Sequence, residues 1–407
     1  MRYSQSSTPS GPSTSRYGYL LVGILLLLAM GLVYAWSIFI PPLRKEFNWS
    51  PSQTSMGFTI LMSMFCLGGM ATGFITKKLP AKYVICFSAL LIGGGFYGVS
   101  TINSLAGLYL FFSVMVGLGV GMSYNAVLST VLRWFPDKLG IISGLLMMGF
   151  GLGSFILSTV GTSMIGNLGW RMAFVRLGIG YFFLILISSF FIRPPSPSVV
   201  FPKSTKAKNI LESGLELSTG AMIKRLTFWI FFSWSVVLTA AGLMVIGSAA
   251  TIAGSLGAEA TKAGFMTGLI AISNGCGRVI AGFLFDKVGR QVVLPLISLL
   301  FMVTGLILYV ALTSDNLTIL VIGFIFTGLS YGGLPPSSST VISLFYGLKN
   351  YSLNFSLINT NIVVASFLGP ALAGVMQARY GTFQTTFVTI IIFGGLSFGL
   401  SYLIKKP

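Results

Sequence analysis

Twelve runs of mostly apolar residues follow one another from Tyr17 to the end of the chain. Each is long enough to cross the roughly 30 Å hydrocarbon layer of a bilayer as a helix. They read 17–40, 53–76, 82–101, 105–133, 138–165, 170–192, 227–251, 263–285, 290–313, 316–345, 352–377 and 382–404. A transmembrane barrel would show short strands of alternating polarity instead. The pattern therefore predicts an all-α membrane protein with twelve transmembrane helices.

Composition agrees. Only 8% of the 407 residues are charged and 54% are apolar, against roughly 25% charged in a soluble domain. The net charge of +18 comes from 25 basic and 7 acidic residues. The basic residues cluster between the apolar runs, as in the cytoplasmic loops of a membrane protein, so no nucleic-acid partner is expected. Histidine is absent, and Cys66, Cys86 and Cys276 lie inside apolar runs without metal-ligand spacing. Hydrolytic, disulfide and metal chemistry find no residues here. An enzyme is not expected, nor is a metal or cofactor.

Residues 1–16, rich in Ser, Thr, Pro and Gly, read as a disordered cytoplasmic tail and not as a signal peptide. One polar interruption, Arg193 to Arg225, separates a six-helix bundle at 17–192 from a second at 226–407. It reads as a cytoplasmic linker, with a short surface helix around 209–222. With both termini inside, eighteen basic residues fall on the cytoplasmic side and six on the other, Arg278 lying within a span. That bias predicts both termini in the cytoplasm. An integral protein of a prokaryotic inner membrane, acting as a monomer in the lipid bilayer, is expected.

The halves repeat. Gly73-Phe-Ile-Thr-Lys77-Lys78 follows the second span, and Gly282-Phe-Leu-Phe-Asp286-Lys287-Val-Gly-Arg290 follows the eighth, 209 residues later. Gly117-Leu-Gly and Gly328-Leu-Ser are offset by 211. Parallel repeats of this kind are a transporter plan.

On these residues the chain resembles the major facilitator superfamily, whose loop signature Gly282–Arg290 matches. Lys77 and Pro80 depart from that signature in the first half. Arg133-Trp-Phe-Pro-Asp-Lys-Leu-Gly, followed by Gly144 and Gly149-Phe-Gly-Leu-Gly153, is similar to the oxalate/formate antiporter family and the related monocarboxylate transporters. Tyr34-Ala-Trp36 and Asn274-Gly-Cys-Gly-Arg278 add to this likeness. The resemblance implies two bundles that carry small organic anions by alternating access.

Arg278 is the most informative residue. It lies eight residues before Asp286, about 12 Å along the helix from its cytoplasmic end. A guanidinium at that depth costs at least about 2.5–3.5 kcal/mol. Snorkelling, with a reach of roughly 6 Å, falls short of the interface, and no span contains a carboxylate to pair with it. A substrate carboxylate is then the expected partner, because its two oxygens fit the planar fork. Asn274, one turn earlier, would orient the guanidinium or bind substrate; the bland reading is an amide packing two helices. The resemblance places an aspartate of the animal-type monocarboxylate transporters at this position, which puts a side-chain proton carrier in doubt.

One cation balances one monoanion, whereas a dianion would leave buried charge unmatched. By resemblance, oxalate carriers add a lysine in the eleventh span, where this chain has Ile362, with Asn359 and Asn361 nearby. Lactate, pyruvate or formate fits better than oxalate. Tyr331, Tyr34, Trp36, Tyr124 and Asn125 are candidates to line the cavity, and Leu28 and Leu145 to form an apolar wall, although packing alone would also account for such residues. Pro335-Pro336 should kink the tenth span. At the cytoplasmic end, Asp286, Lys287, Arg290, Arg133 and Asp137 are gating candidates; the resemblance gives Asp286 an inter-helix contact that stabilises one access state. The expected function is proton-coupled monocarboxylate transport. Exchange against a counter-anion is the alternative, and a non-transporting carboxylate sensor the rival of another class, for which the 33-residue linker is too short to hold a signalling domain.

Overall fold

A computed structural model of the chain describes residues 15–196 and 216–406. The expected tail up to residue 14, and linker positions 197–215 with half of the anticipated surface helix, lie outside the described residues. Within them, ten helices are long and apolar enough to cross a membrane, and two shorter apolar helices complete a set of twelve.

α1 (Ser15–Met30) tightens into a 3-10 turn at Gly31–Ile38 and is followed by the short helix Ile40–Phe47. α2 (Pro51–Ile75) opens with a capping box. The Ser50 hydroxyl accepts the Gln53 N–H at 3.2 Å, and the Gln53 side chain accepts the Ser50 N–H at 2.8 Å, so two otherwise orphaned donors are satisfied. α3 is Ala81–Ser100, and α4 spans Leu105–Leu132 with a π-helical stretch at Tyr109–Val116.

The run Leu139–Ser189 is one helix except at Gly169, whose φ of 77° and ψ of 159° suit glycine alone. It is thereby split into α5 (139–168) and α6 (170–189). A short turn of helix, Thr219–Ile223, leads into α7 (Leu226–Ile246). α8 (Ala260–Val288) is divided from α9 (Arg290–Thr313) by Gly289, again at φ 77°. α10 (Leu317–Tyr346) restarts at Leu334 after Gly333, where Pro335 and Pro336 have no N–H to donate backwards. α11 is Tyr351–Tyr380 and α12 is Gln384–Leu403. The observed helices follow the expected spans to within a few residues. The seventh span is the exception: it stops at Ile246, and a separate helix, Ala249–Ser255, takes up its Gly- and Ala-rich end.

Large apolar side chains such as Phe74, Tyr97, Phe183, Leu306 and Ile392 point outward. Lipid is the surrounding that accepts such a belt. Inside the first half, Phe39, Phe96, Phe112 and Phe174 form a continuous ring cluster. Inside the second, buried Trp234 stacks on Phe231 and donates its ring N–H to Ser298 at 3.0 Å.

The halves meet chiefly along two helix pairs, α5 with α8 and α2 with α11. Gly140 and Gly282 touch backbone to backbone, so that a Cβ on either would overlap the other's carbonyl oxygen. At the duplicated position, a Cβ on Gly73 would stand 2.7 Å from the Leu353 Cα. Small residues permit this approach where lipid supplies no hydrophobic drive. Hydrogen bonds join the halves at Cys66, Asn125, Arg278 and Asp286, from the middle of the molecule to the end bearing the linker. The molecule is closed at this linker face.

Candidate functional site

α8 runs toward the linker face, and helix side chains lean toward the N-terminus of their own helix. The Arg278 guanidinium is therefore carried back toward the middle of the molecule. Only 6% of the residue is exposed. Its Nε donates to Asn274 Oδ1 at 3.2 Å, one turn earlier on the same face. Its Nη1 donates to the backbone carbonyl of Met147 on α5, across the boundary between the halves. Gly144 packs against the Arg278 backbone, and a Cβ on Gly151 would lie 3.3 Å from the guanidinium carbon.

Both acceptors are neutral. Among the described residues no carboxylate pairs with Arg278, and the acids that do form contacts are engaged elsewhere. Glu46 holds Arg171 at 2.7 Å, and Asp137 holds Arg16 at 3.0 Å. Asp286 accepts from α5, and Glu216 from the turn before α11. The sequence offers Asn274 as an orienting neighbour and no carboxylate partner; the structure adds the Met147 carbonyl, so that two of the five N–H donors have neutral partners and the charge remains uncompensated. A backbone carbonyl leaves no mark in a sequence, so Met147 could not have been found that way.

The other predicted residues divide into groups. Tyr124, Asn125 and Asn359 line one small cavity between α2, α4 and α11, together with Phe65, Cys66 and Ser356. The Tyr124 ring packs on Phe65 at 5.3 Å, on Phe150 at 5.0 Å, and on Phe355 at 6.5 Å. Asn125 does more than line the space. Its amide donates to Gly69 in its own half at 3.2 Å, and to Ser352 at 2.8 Å and the Ser356 hydroxyl in the other. α5 joins this cavity to Arg278, because Met147 and Gly151 meet the arginine while Phe150 between them meets Tyr124.

Tyr331 on α10 lays its ring against Gly242 of α7, while Gly328 and Gly332 seat the same helix on the Asn274 backbone. Tyr331 therefore packs on α7, from a helix whose glycines touch the Asn274 backbone. Trp36 is 3% exposed and stacks on Phe112 at 4.3 Å, inside the first half's own core and away from the cavity lining. Leu145 is half-buried against that core, and the Leu28 backbone packs on Gly153. The Tyr34 side chain lies outside the described residues.

At the linker face the Asp286 carboxylate spans two backbone donors of the other half. Oδ1 accepts the Gly140 N–H at 2.9 Å and Oδ2 the Ile141 N–H at 2.8 Å. A carboxylate at a helix N-terminus meets both unsatisfied N–H groups and the positive end of the dipole. Lys287 lies 5.8 Å from the Phe283 ring centre. Arg290 sits 5.1 Å over Phe345 and donates to the Ile404 carbonyl, tying together parts of the second half alone. Asp137 is likewise internal to the first half through Arg16. Arg133 is exposed at the end of α4. Cys66, Gly151 and Ser356 are not assigned to the site by the sequence, because small residues recur throughout such helices, and Glu216 lies in a polar linker.

A family model described as Major Facilitator Superfamily matches residues 20–249 and 232–407. The chain is 25% identical to the oxalate:formate antiporter of Oxalobacter formigenes over 412 residues, covering 98% of this chain and 94% of that one. It is 22% identical to monocarboxylate transporter 2 of Mus musculus over 409 residues, covering 94% and 84%. Among solved structures, the proton:xylose symporter XylE bound to 6-bromo-6-deoxy-D-glucose superposes with a TM-score of 0.73 at 14% identity, covering 96% of this chain and 95% of that one. FucP in the outward conformation gives 0.66 at 16% identity, covering 97% and 100%. With a twelve-helix fold shared with these carriers and family matches through both halves, the chain belongs to the Major Facilitator Superfamily.

Proposed function

We propose that this transporter carries small monocarboxylates, such as lactate, pyruvate or formate, by alternating access. The observation that carries the reading is the buried Arg278 guanidinium, held by Asn274 and a carbonyl and matched by no described carboxylate. A carboxylate entering from the side opposite the linker would supply the missing charge. Asn274 would hold the guanidinium fork in orientation, Tyr331 would contribute from α10, and Tyr124, Asn125 and Asn359 would offer neutral polar atoms across α5. A single cation favours a monoanion over a dianion.

The two bundles, 17–192 and 226–407, would rock about this level. The linker face is taken as cytoplasmic on the distribution of basic residues, with both termini inside a prokaryotic cell membrane and one chain as the working unit. Closure at that face then corresponds to the state open to the outside. Asp286 and Asn125 would hold it, with Lys287, Arg290, Arg133 and Asp137 shaping the same end.

A proton is the proposed partner in coupling. Protonating the bound substrate would weaken its hold on Arg278 and permit release without a side-chain proton carrier. The antiporter among the relatives supports exchange as the second reading. Uptake into proteoliposomes separates the two. Radiolabelled lactate or formate entering empty vesicles under an imposed inward proton gradient supports symport. Uptake that occurs only when the vesicles are loaded with a second anion supports exchange, and no uptake of any short carboxylate in either format overturns the proposal.

A further inference from the structure

The turn between α2 and α3 carries Lys77, Lys78 and Lys82, and no Asp or Glu occurs anywhere between Glu46 and Asp137. Those two acids are themselves engaged, with Arg171 and Arg16. The duplicated turn after α8 is built otherwise. At the offset of 209, Lys77 matches Asp286 and Lys82 matches Gln291. Asp286 is taken up by α5, and Arg290 bends inward to the Ile404 carbonyl, leaving Lys287 exposed. The first half thus concentrates positive charge where the second neutralises it.

Apolar surface adjoins these cations. Phe74 on α2 is exposed, and so are Tyr83, Phe87 and Leu90, which recur along one face of α3 at helical spacing. The lysines lean on this strip. Lys77 Nζ stands 5.7 Å from the Phe74 ring centre, and Lys82 Nζ 4.7 Å from that of Tyr83. A fourth cation comes from the end of α6. Cys86 Sγ and Ser189 Oγ meet at 3.1 Å, joining α3 to α6. Lys82 precedes Cys86 by four residues and Arg193 follows Ser189 by four, so both stand on the linker side of that contact. The Trp134 ring N–H donates to the Arg193 carbonyl at 2.7 Å and fixes its backbone. Among the described residues, no carboxylate pairs with any of the four.

We propose that this corner of the first half binds an anionic phospholipid from the leaflet at the linker face. The headgroup phosphate rests among Lys77, Lys78, Lys82 and Arg193, and an acyl chain runs along α3 over Tyr83 and Phe87. Two features select lipid over a soluble acidic partner. The cations are continuous with a strip of outward apolar side chains, and exposed Leu79 between the lysines adds apolar surface at headgroup level. Each basic residue beside a bilayer gains about fivefold in affinity from anionic lipid, and a guanidinium takes phosphate oxygens in pairs. The site shares no residue with the Arg278 group, so the inference holds whichever anion is carried.

The full-length protein in neutral detergent is titrated with dioleoyl phosphatidylglycerol and, separately, with dioleoyl phosphatidylcholine, and bound lipids are counted by native mass spectrometry. The first phosphatidylglycerol should bind at least about tenfold more tightly than phosphatidylcholine. Lys77→Gln, Lys78→Gln and Lys82→Gln together should weaken it on the order of a hundredfold, about fivefold per lysine, with phosphatidylcholine unchanged. Lys349→Gln, Lys405→Gln and Lys406→Gln remove the same charge from exposed positions at the linker face of the second half, and should leave the first lipid in place. Equal losses in the two triple variants would mean attraction to net charge alone and would overturn the site. So would equal affinity for the two lipids. Displacement of the lipid by an equal concentration of glycerol phosphate would make this a site for soluble phosphate and overturn it as well. Should the triple variant fail to fold, Lys82→Gln alone carries the test: a loss of about fivefold supports the site, and unchanged affinity rejects it.

Discussion

Arg278 in the second half donates a hydrogen bond to the carbonyl of Met147 in the first. The cation proposed to take the substrate is therefore also a contact that closes the linker face. A carboxylate bound at that guanidinium competes with the Met147 carbonyl for the same donor. A ligand shifts a conformational equilibrium only through its difference in affinity for the two states. Exchange of a weak neutral acceptor for a charged one supplies such a difference at a residue that both halves share.

Removing the guanidinium gives the first prediction. Arg278→Ala should cost about 2–5 kcal/mol of anion binding, as when one partner of a buried charge pair is truncated, or at least about thirtyfold in affinity. Arg278→Lys keeps the charge and loses the fork, so it should fall between the two. Calorimetric titration of purified protein with lactate and formate reads the effect, with size-exclusion profiles confirming a folded carrier. Unchanged affinity in Arg278→Ala would remove the site assignment.

A second prediction concerns the carboxylate at the start of α5. Asp286→Asn keeps the shape and one acceptor, but loses the charge facing the helix N-terminus and leaves one N–H poorly served. A cap of this kind is worth about 0.5–2 kcal/mol, so the linker-open population should rise by up to about thirtyfold. Labelling of a cysteine placed at Ser356, buried between the halves, by a reagent added from the linker side should speed up accordingly. Equal labelling rates in the two proteins would show that Asp286 is a helix-end charge without a gating role.

Gly151 sets the third. A methyl group there would press on the Arg278 guanidinium from 3.3 Å, in a range where the side chain has to shift by a few tenths of an ångström. Overpacking of this size costs roughly 1–3 kcal/mol. Gly151→Ala should raise the apparent KM for uptake about five- to a hundredfold, while the thermal transition changes little. Equal loss in KM and in melting temperature would instead indicate general damage to the α5–α8 packing.

The helices were legible in the sequence because lipid punishes polar backbone and charge alike, so every span announces itself by length and composition. Arg278 stood out for the same reason: one charge in an apolar run is costly enough to need a cause. Its setting was not legible, because Met147 contributes only a carbonyl and Gly151 only an absence. Asn125 read as a cavity residue from its place beside Tyr124, yet its amide reaches Ser352 and Ser356 at a separation of more than 200 residues. Trp36 read as a site aromatic through its neighbour Tyr34, while the 3-10 turn of Gly31–Ile38 rotates it onto Phe112. Helical periodicity does not foresee a change of pitch. Glu216 sat in a polar linker where an acid carries no signal.

The last prediction concerns the face opposite the linker. Glu46, in the short helix after α1, accepts from Arg171 at 2.7 Å and from the Trp170 ring N–H at 2.6 Å. Arg171 also donates to the Ser100 and Ile102 carbonyls at 2.9 and 3.1 Å, so the cluster ties the short helix Ile40–Phe47 to the end of α3 and the start of α6. The hydrogen bond from Arg171, then that from Trp170, holds the Glu46 carboxyl below its ordinary 4.5. A carboxyl depressed in the folded state contributes stability that is fully present above the ordinary value and is lost as pH falls through the depressed one. Glu46→Gln should therefore melt earlier than the parent at pH 7. The gap should be only about 1–3 °C, because both side chains of the pair are some two-fifths exposed and solvent screens them. It should close as the pH falls below the ordinary carboxyl value and through the depressed one, where the parent carboxyl is protonated as well. Melting curves of both proteins in detergent across that range measure it. A gap that never narrows on acidification would mean that the glutamate contributes by packing and not by charge.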